Sequence, residues 1–146
     1  MFPKAGIAYG MFMAELTAEM KEMFTKAPAF AVASASKNGE PNVAPIKTVW
    51  LMDDETIWIG DNYMKKTLAN LQENPRVSIY VWGPETKGCL QIKGDVDVKT
   101  SGPEYEDMRA KIKAKSEKHP AKSLIVMKIT EVFTCTPGPE AGKRLL

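Results

Sequence analysis

The chain has 146 residues, 44% of them hydrophobic and 26% charged, with a formal net charge of +2. That length suits one domain with a real hydrophobic core. The small charge, with no basic run interleaved with aromatics, speaks against a nucleic-acid surface, and no segment is long enough to span a bilayer as a helix.

The first sixteen residues, MFPKAGIAYGMFMAEL, hold one lysine and a short apolar stretch in the manner of a secretory leader. They have no clear small-x-small cleavage site and run directly into an amphipathic pattern, so a cytoplasmic protein is expected. Leu16, Met20, Met23 and Phe24 share one helical face, which predicts a helix over about residues 14–26, its methionines filling core. The period then changes to two. FAVASAS (30–36) is a predicted strand, KNGEPN (37–42) a turn with the hairpin signal Asn38-Gly39, APIKTVWLM (44–52) the second strand and TIWIG (56–60) the third. In 44–52 both alternate faces are largely apolar, so both are expected to be covered, the outer one by another subunit or a ligand, or else by the chain's own helices.

Residues 61–74, DNYMKKTLANLQEN, predict a helix with Met64, Leu68 and Leu71 on one face, Asp61 or Asn62 as N-cap, and Asn74-Pro75 as its stop. Lys65 and Lys66 then fall at the positive end of the helix dipole, an arrangement that costs about a few tenths of a kcal/mol per charge. Two readings stay open from this pattern: a solvated pair, or a phosphate site in which Lys65, Lys66, Thr67 and the free N–H groups of the first turn hold an anion. No P-loop motif accompanies them. VSIYVWG (77–83) and CLQIKGDVDVKT (89–100) are the next strands, a polar helix runs from Pro103 to Pro120, and SLIVMKITEVFTCT (123–136) is the last strand before a Gly/Pro tail at about 137–146. Six short strands joined mostly by tight turns predict an antiparallel barrel, mainly β with flanking helices, in a single domain covering residues 1–146.

Other residues carry less. Cys89 and Cys135 lie in separate strands without a CxxC or a Cys/His cluster, so buried reduced thiols are expected and no metal site. His119, the sole histidine, reads as a charge at a helix C-terminus, and Asp95 and Asp97 as solvated neighbours on a strand. Trp50, Trp58 and Trp82 read mostly as core. No residue stands out as a general acid or base.

The order of helix, hairpin, strand ending at Gly60-Asp61-Asn62-Tyr63, Lys-Lys-Thr helix, Asn-Pro and aromatic strand resembles the pyridoxamine-phosphate-oxidase-like FMN-binding split-barrel family. MKKTLANL (64–71), NPRVSIYVW (74–82) and QIKGDVDVKTSGPEYE (91–106) carry the likeness to its small FMN-binding and flavoredoxin-like members, over about residues 14–136. The resemblance implies a homodimeric six-stranded antiparallel split β-barrel with FMN at the dimer interface. It places the FMN phosphate at Lys65, Lys66 and Thr67 and runs Ala44, Pro45, Ile46, Lys47 and Thr48 along the isoalloxazine. Asp61, Asn62 and Tyr63 would line the ring, and Gln91 would add a polar contact. It implies an FMN-dependent oxidoreductase acting on a small substrate, with a nicotinamide or deazaflavin donor. The alternative is a non-catalytic FMN electron carrier docking to redox proteins, and a third reading is a flavin-free barrel that binds a partner. The ending TPGPEAGKRLL has no arginine-rich segment for pyridoxamine phosphate, which speaks against oxidation of that substrate; Leu145 and Leu146 are expected to cover the partner's flavin.

Overall fold

A computed structural model describes residues 14–146; the leader-like start lies mostly outside them. Among the described residues there are three helices, α1 (Ala18–Lys26), α2 (Lys66–Glu73) and α3 (Pro103–Lys115). There are seven strands, β1 (Phe30–Ala35), β2 (Pro41–Ile46), β3 (Val49–Asp53), β4 (Thr56–Asp61), β5 (Arg76–Val81), β6 (Leu90–Lys99) and β7 (Ser123–Thr134). All strand pairs are antiparallel, in the order β2-β1-β5-β6-β7-β4-β3.

Seven strands stand where the pattern predicts six, because APIKTVWLM is two strands. β2 pairs with β1 and β3 with β4, so the two lie at opposite edges of the sheet although only Lys47 and Thr48 separate them. Two residues span at most about 7 Å. The sheet must therefore curl until its edges meet, and the seam between β2 and β3 carries no ladder: this is the split in the barrel. The crossing is pinned locally. Val49 N–H donates to Lys47 O at 2.8 Å, and Thr48 exchanges two bonds with Gly60, through its carbonyl and its hydroxyl, each at 2.8 Å. Pro41 and Pro45 sit on β2, an edge strand, where a missing N–H is tolerated.

The barrel interior is filled by alternate residues. Phe30 and Val32 of β1, Ile57 and Ile59 of β4, Val77, Ile79 and Val81 of β5, Ile92 of β6 and Ile125, Met127 and Ile129 of β7 form one cluster with Phe24 and Leu71 from the helices. Thr17 caps α1 by accepting from Met20 N–H, and the Phe24 and Phe30 rings meet at 4.6 Å. A second, smaller core lies outside the barrel, where Met108 and Ile112 of α3 pack on Trp58, Leu124 and Val126. β4 is thus buried on both faces, which its uninterrupted apolar run permits. Gly60 allows α3 this close, since a Cβ there would come within 2.8 Å of Ile112 Cδ1.

The two-sided cover expected for 44–52 is therefore divided. Trp50 on β3 packs beneath the chain's own α3, whereas on the outer face of β2 Val43 is 65% exposed. Trp82 is not core but half exposed. The tail does not reach away from the barrel: Leu145 N–H donates to Val132 O at 2.7 Å, Phe133 bridges Arg144, and Leu146 packs on the chain's own core. Leu146 is half-buried against that core, while Leu145 stays 40% exposed.

Candidate functional site

A cleft of about 470 Å³ lies beside the seam, between β2, the 47–48 crossing and the turn from β4 into α2. Ala44, Pro45, Ile46, Lys47, Thr48, Asn62, Tyr63, Lys65, Lys66 and Thr67 line it, joined by Asn42, Gly60, Met64 and His119. The size suits a small organic ligand. Of the residues assigned to the site from sequence, two are elsewhere. Gln91 lies on the outer face of the sheet, opposite Tyr80 and Phe133. Asp61 is fully buried behind the cleft.

Asp61 corrects the predicted helix start. Its carboxylate accepts from Met64 N–H at 2.9 Å and from Ser123 Oγ at 2.7 Å, with Lys122 Nζ at 3.8 Å. It closes the turn that precedes the helix, and α2 begins at Lys66 with Lys65 at the cap position and no side chain capping it. Asn62 is not the cap either; its Oδ1 accepts from Ala121 N–H at 2.9 Å.

The first turn of α2 therefore presents uncapped backbone N–H groups, with Lys65 at the cap and Lys66 at the first helical position. Among the described residues neither lysine has an ion-pair partner. Thr67 is buried, and its hydroxyl oxygen accepts from Asn42 Nδ2 at 3.0 Å, leaving its own O–H free to donate. Lys47 adds a third ammonium from the crossing, and the lining contains no carboxylate. Positive helix end, unpaired cations and free donors together favour an anionic ligand.

The far wall is one that the linear pattern does not reveal. His119 lies four residues beyond α3, not at its end, and its Nδ1 is 3.3 Å from the Tyr63 hydroxyl, the rings edge to face at 5.9 Å. Its loop is held firmly. Arg109 Nη1 donates to Pro120 O and Ala121 O, each at 3.0 Å, and Lys122 N–H donates to Asp61 O at 2.7 Å. Ala121 is buried at φ 46°, a conformation that costs a residue with a Cβ about 1–3 kcal/mol and persists where its surroundings enforce it. Asp95 and Asp97 lie elsewhere, paired with Arg76 at 3.6 Å and Lys99 at 3.8 Å.

Residues 16–136, most of the chain, match the family model described as pyridoxamine 5'-phosphate oxidase. The chain belongs to this family. An uncharacterised protein of Methanocaldococcus jannaschii is 36% identical, the alignment covering 94% of this chain and 92% of the relative. Among solved structures, HupZ of Group A Streptococcus superposes with a TM-score of 0.73 at 24% identity, over 87% of this chain and 99% of that one. An FMN-binding protein of Syntrophomonas wolfei gives 0.63 at 20% identity, over 92% and 95%. At those identities the superpositions establish the fold. Members of the pyridoxamine 5'-phosphate oxidase-like family share the curled antiparallel sheet described above, and the Lys-Lys-Thr turn opens onto its seam. No helix among the described residues is long and apolar enough to cross a membrane.

Proposed function

We infer that this family member is an FMN-binding flavoprotein, an FMN-dependent oxidoreductase that acts on a small substrate as a cytoplasmic homodimer. One observation carries the reading. The uncapped start of α2, with Lys65, Lys66 and Thr67, faces into a carboxylate-free cleft of about 470 Å³. In this reading Lys65 and Lys66, Thr67 Oγ1–H and the first-turn N–H groups hold the phosphate, while Ala44 to Thr48, Asn62 and Tyr63 flank the ring. The flavin supplies hydride and one-electron chemistry when bound. The chain binds it, orients it through the pinned 47–48 crossing, and keeps water from its inner side with Ile46 and Met64. A nicotinamide or deazaflavin serves as donor. Tyr63 and His119 at the wall give a substrate hydrogen-bonding groups to meet, which favours an enzyme over a bare electron carrier.

The outer sheet face supports the homodimer. Pro45, Ala31, Tyr80, Gln91 and Phe133 form one row across five strands, with Val43 and Ala33 beside it. Val43 is 65% and Tyr80 42% exposed; contiguous exposed apolar surface of this kind marks an interaction site. Gln91 lies in this row, on the surface a second copy would cover and away from its own chain's cleft.

The deciding experiment adds FMN to the purified protein, removes the excess and records the visible spectrum. A shifted flavin spectrum retained near one per chain is expected, and catalytic bleaching by a nicotinamide separates enzyme from carrier. A colourless protein overturns the flavin assignment.

A further inference from the structure

Cys89 and Cys135 take no part in the cleft. They extend the β6–β7 ladder by one rung beyond Leu90↔Thr134, facing each other across adjacent strands. Cys135 N–H donates to Cys89 O at 3.1 Å, Thr136 Oγ1 accepts from Cys89 N–H at 2.9 Å, and the two Sγ atoms are 3.0 Å apart. Directly opposite, hydrogen-bonded residues of an antiparallel pair have Cα atoms about 5.5 Å apart, inside the range of about 4.4–6.8 Å that a disulfide spans. Both thiols are free, Cys89 buried and Cys135 half-buried. Cys135 is the more accessible of the two; the pair lies on the outer sheet face, two residues along from Gln91 and Phe133 and beside the Tyr80 phenol, at the margin of the proposed homodimer surface.

We propose that Cys89 and Cys135 are an oxidation site that closes to an intrachain disulfide, with a low-molecular-weight disulfide as oxidant. The Cys135 thiol loses its proton to solvent, its sulfur attacks one sulfur of the oxidant, and one small thiol leaves. The Cys89 sulfur, deprotonated in turn, attacks Cys135 Sγ, forms the Sγ–Sγ bond and displaces the second small thiol. The two protein thiols give up two electrons, and the oxidant's disulfide is reduced to two thiols. Burial, with the hydrogen bond to Cys89 and that neighbour's charge added, pushes the Cys135 thiol up to about 12. Only thiolate attacks, so closure is slow at neutral pH and quickens as the pH rises. The pair therefore rests as thiols in a reducing compartment and responds to sustained oxidation rather than to brief exposure.

The bridge would add a covalent link between two segments that hydrogen bonds at Cys89, Cys135 and Thr136 already hold side by side. One is the 83–88 turn, organised by Thr86 Oγ1 donating to Gly83 O. The other is the end of β7, on which the tail folds through Gly142 N–H to Thr134 O at 2.7 Å. It would close a loop with a sequence separation of 46, and a loop of that length raises the melting temperature by about 5–10 °C if the native geometry is unstrained.

The test incubates the reduced full-length protein with oxidised glutathione at mildly alkaline pH. Thiols are counted after unfolding, the intact mass is measured, and non-reducing peptide maps are recorded. The expected result is loss of both free thiols in a single chain, a mass lower by two hydrogens, a peptide joining Cys89 to Cys135, and a raised melting temperature that a reductant reverses. Cys89→Ser and Cys135→Ser should each fold, retain one thiol or its glutathione adduct, and show no such rise. A stable glutathione adduct in the wild type overturns the proposal. So does a covalently linked pair of chains, or two thiols that stay free while the unfolded chain oxidises.

Discussion

Replacing Lys66 by alanine separates the anion site from a pair of idle surface charges, because only the anion site predicts a loss of FMN affinity. Lys66 is the first residue of α2, exposed, at the end where the helix dipole is positive. Without a ligand its ammonium opposes that dipole, so Lys66→Ala should stabilise the empty protein slightly, by about 0.3–1 kcal/mol. With FMN bound the same change removes a charged hydrogen bond to phosphate, worth about 1.5–3 kcal/mol. That corresponds to a dissociation constant raised about 10- to 150-fold. Because the ammonium is exposed, screening keeps the loss toward the lower half of the range, and more so at high salt. Titration by flavin fluorescence at low ionic strength measures it, and riboflavin serves as the control. Riboflavin has no phosphate, so its affinity should be the same for wild type and variant. Equal losses for FMN and riboflavin, or an unchanged FMN affinity, would refute the assignment and leave Lys66 as a solvated charge.

Two other perturbations test the frame around the cleft. Asp61→Ala removes a fully buried carboxylate that accepts from Met64 N–H and Ser123 Oγ. With both donors left unpaired, urea unfolding should show a loss of about 3 kcal/mol; an unmoved midpoint would mean the turn closes without it. Ala33→Arg places a charge at the centre of the outer sheet face, between Val43 and Ser78. Light scattering should then report a monomer whose far-ultraviolet circular dichroism matches wild type, and a dimer that persists would move the interface to another surface.

Much of the architecture was legible because its signals are short in range. Alternation marked the strands, Asn38-Gly39 the first hairpin, and Asn74-Pro75 the end of α2. Ten of the twelve residues assigned to the site do line the cleft, since they fall in two stretches, 44–48 and 62–67, that the seam brings together. The failures share a cause. APIKTVWLM keeps an unbroken period of two, so the change of partner at Lys47 and Thr48 leaves no mark in the pattern; only the two hydrogen-bonding edges show it. Asp61 and Asn62 look like caps because both types cap helices, yet Asp61 turns inward to Ser123, 62 residues away in sequence. His119 reached the cleft through a loop that Arg109 of α3 and Asn62, 59 residues from its partner Ala121, hold in place.

The sequence by itself determined the apolar faces of most strands and helices, their approximate places along the chain, and that two lysines and a threonine stand at a helix start. These follow from periodicity, turn chemistry and capping, all decided within a few residues. The tertiary structure alone decided that the sheet curls until β2 and β3 meet, that Tyr63 and His119 face one another, and that two cysteines 46 positions apart stand sulfur to sulfur. Each of those depends on which edges and ends come together when the whole chain buries its apolar surface, and no local pattern encodes that choice.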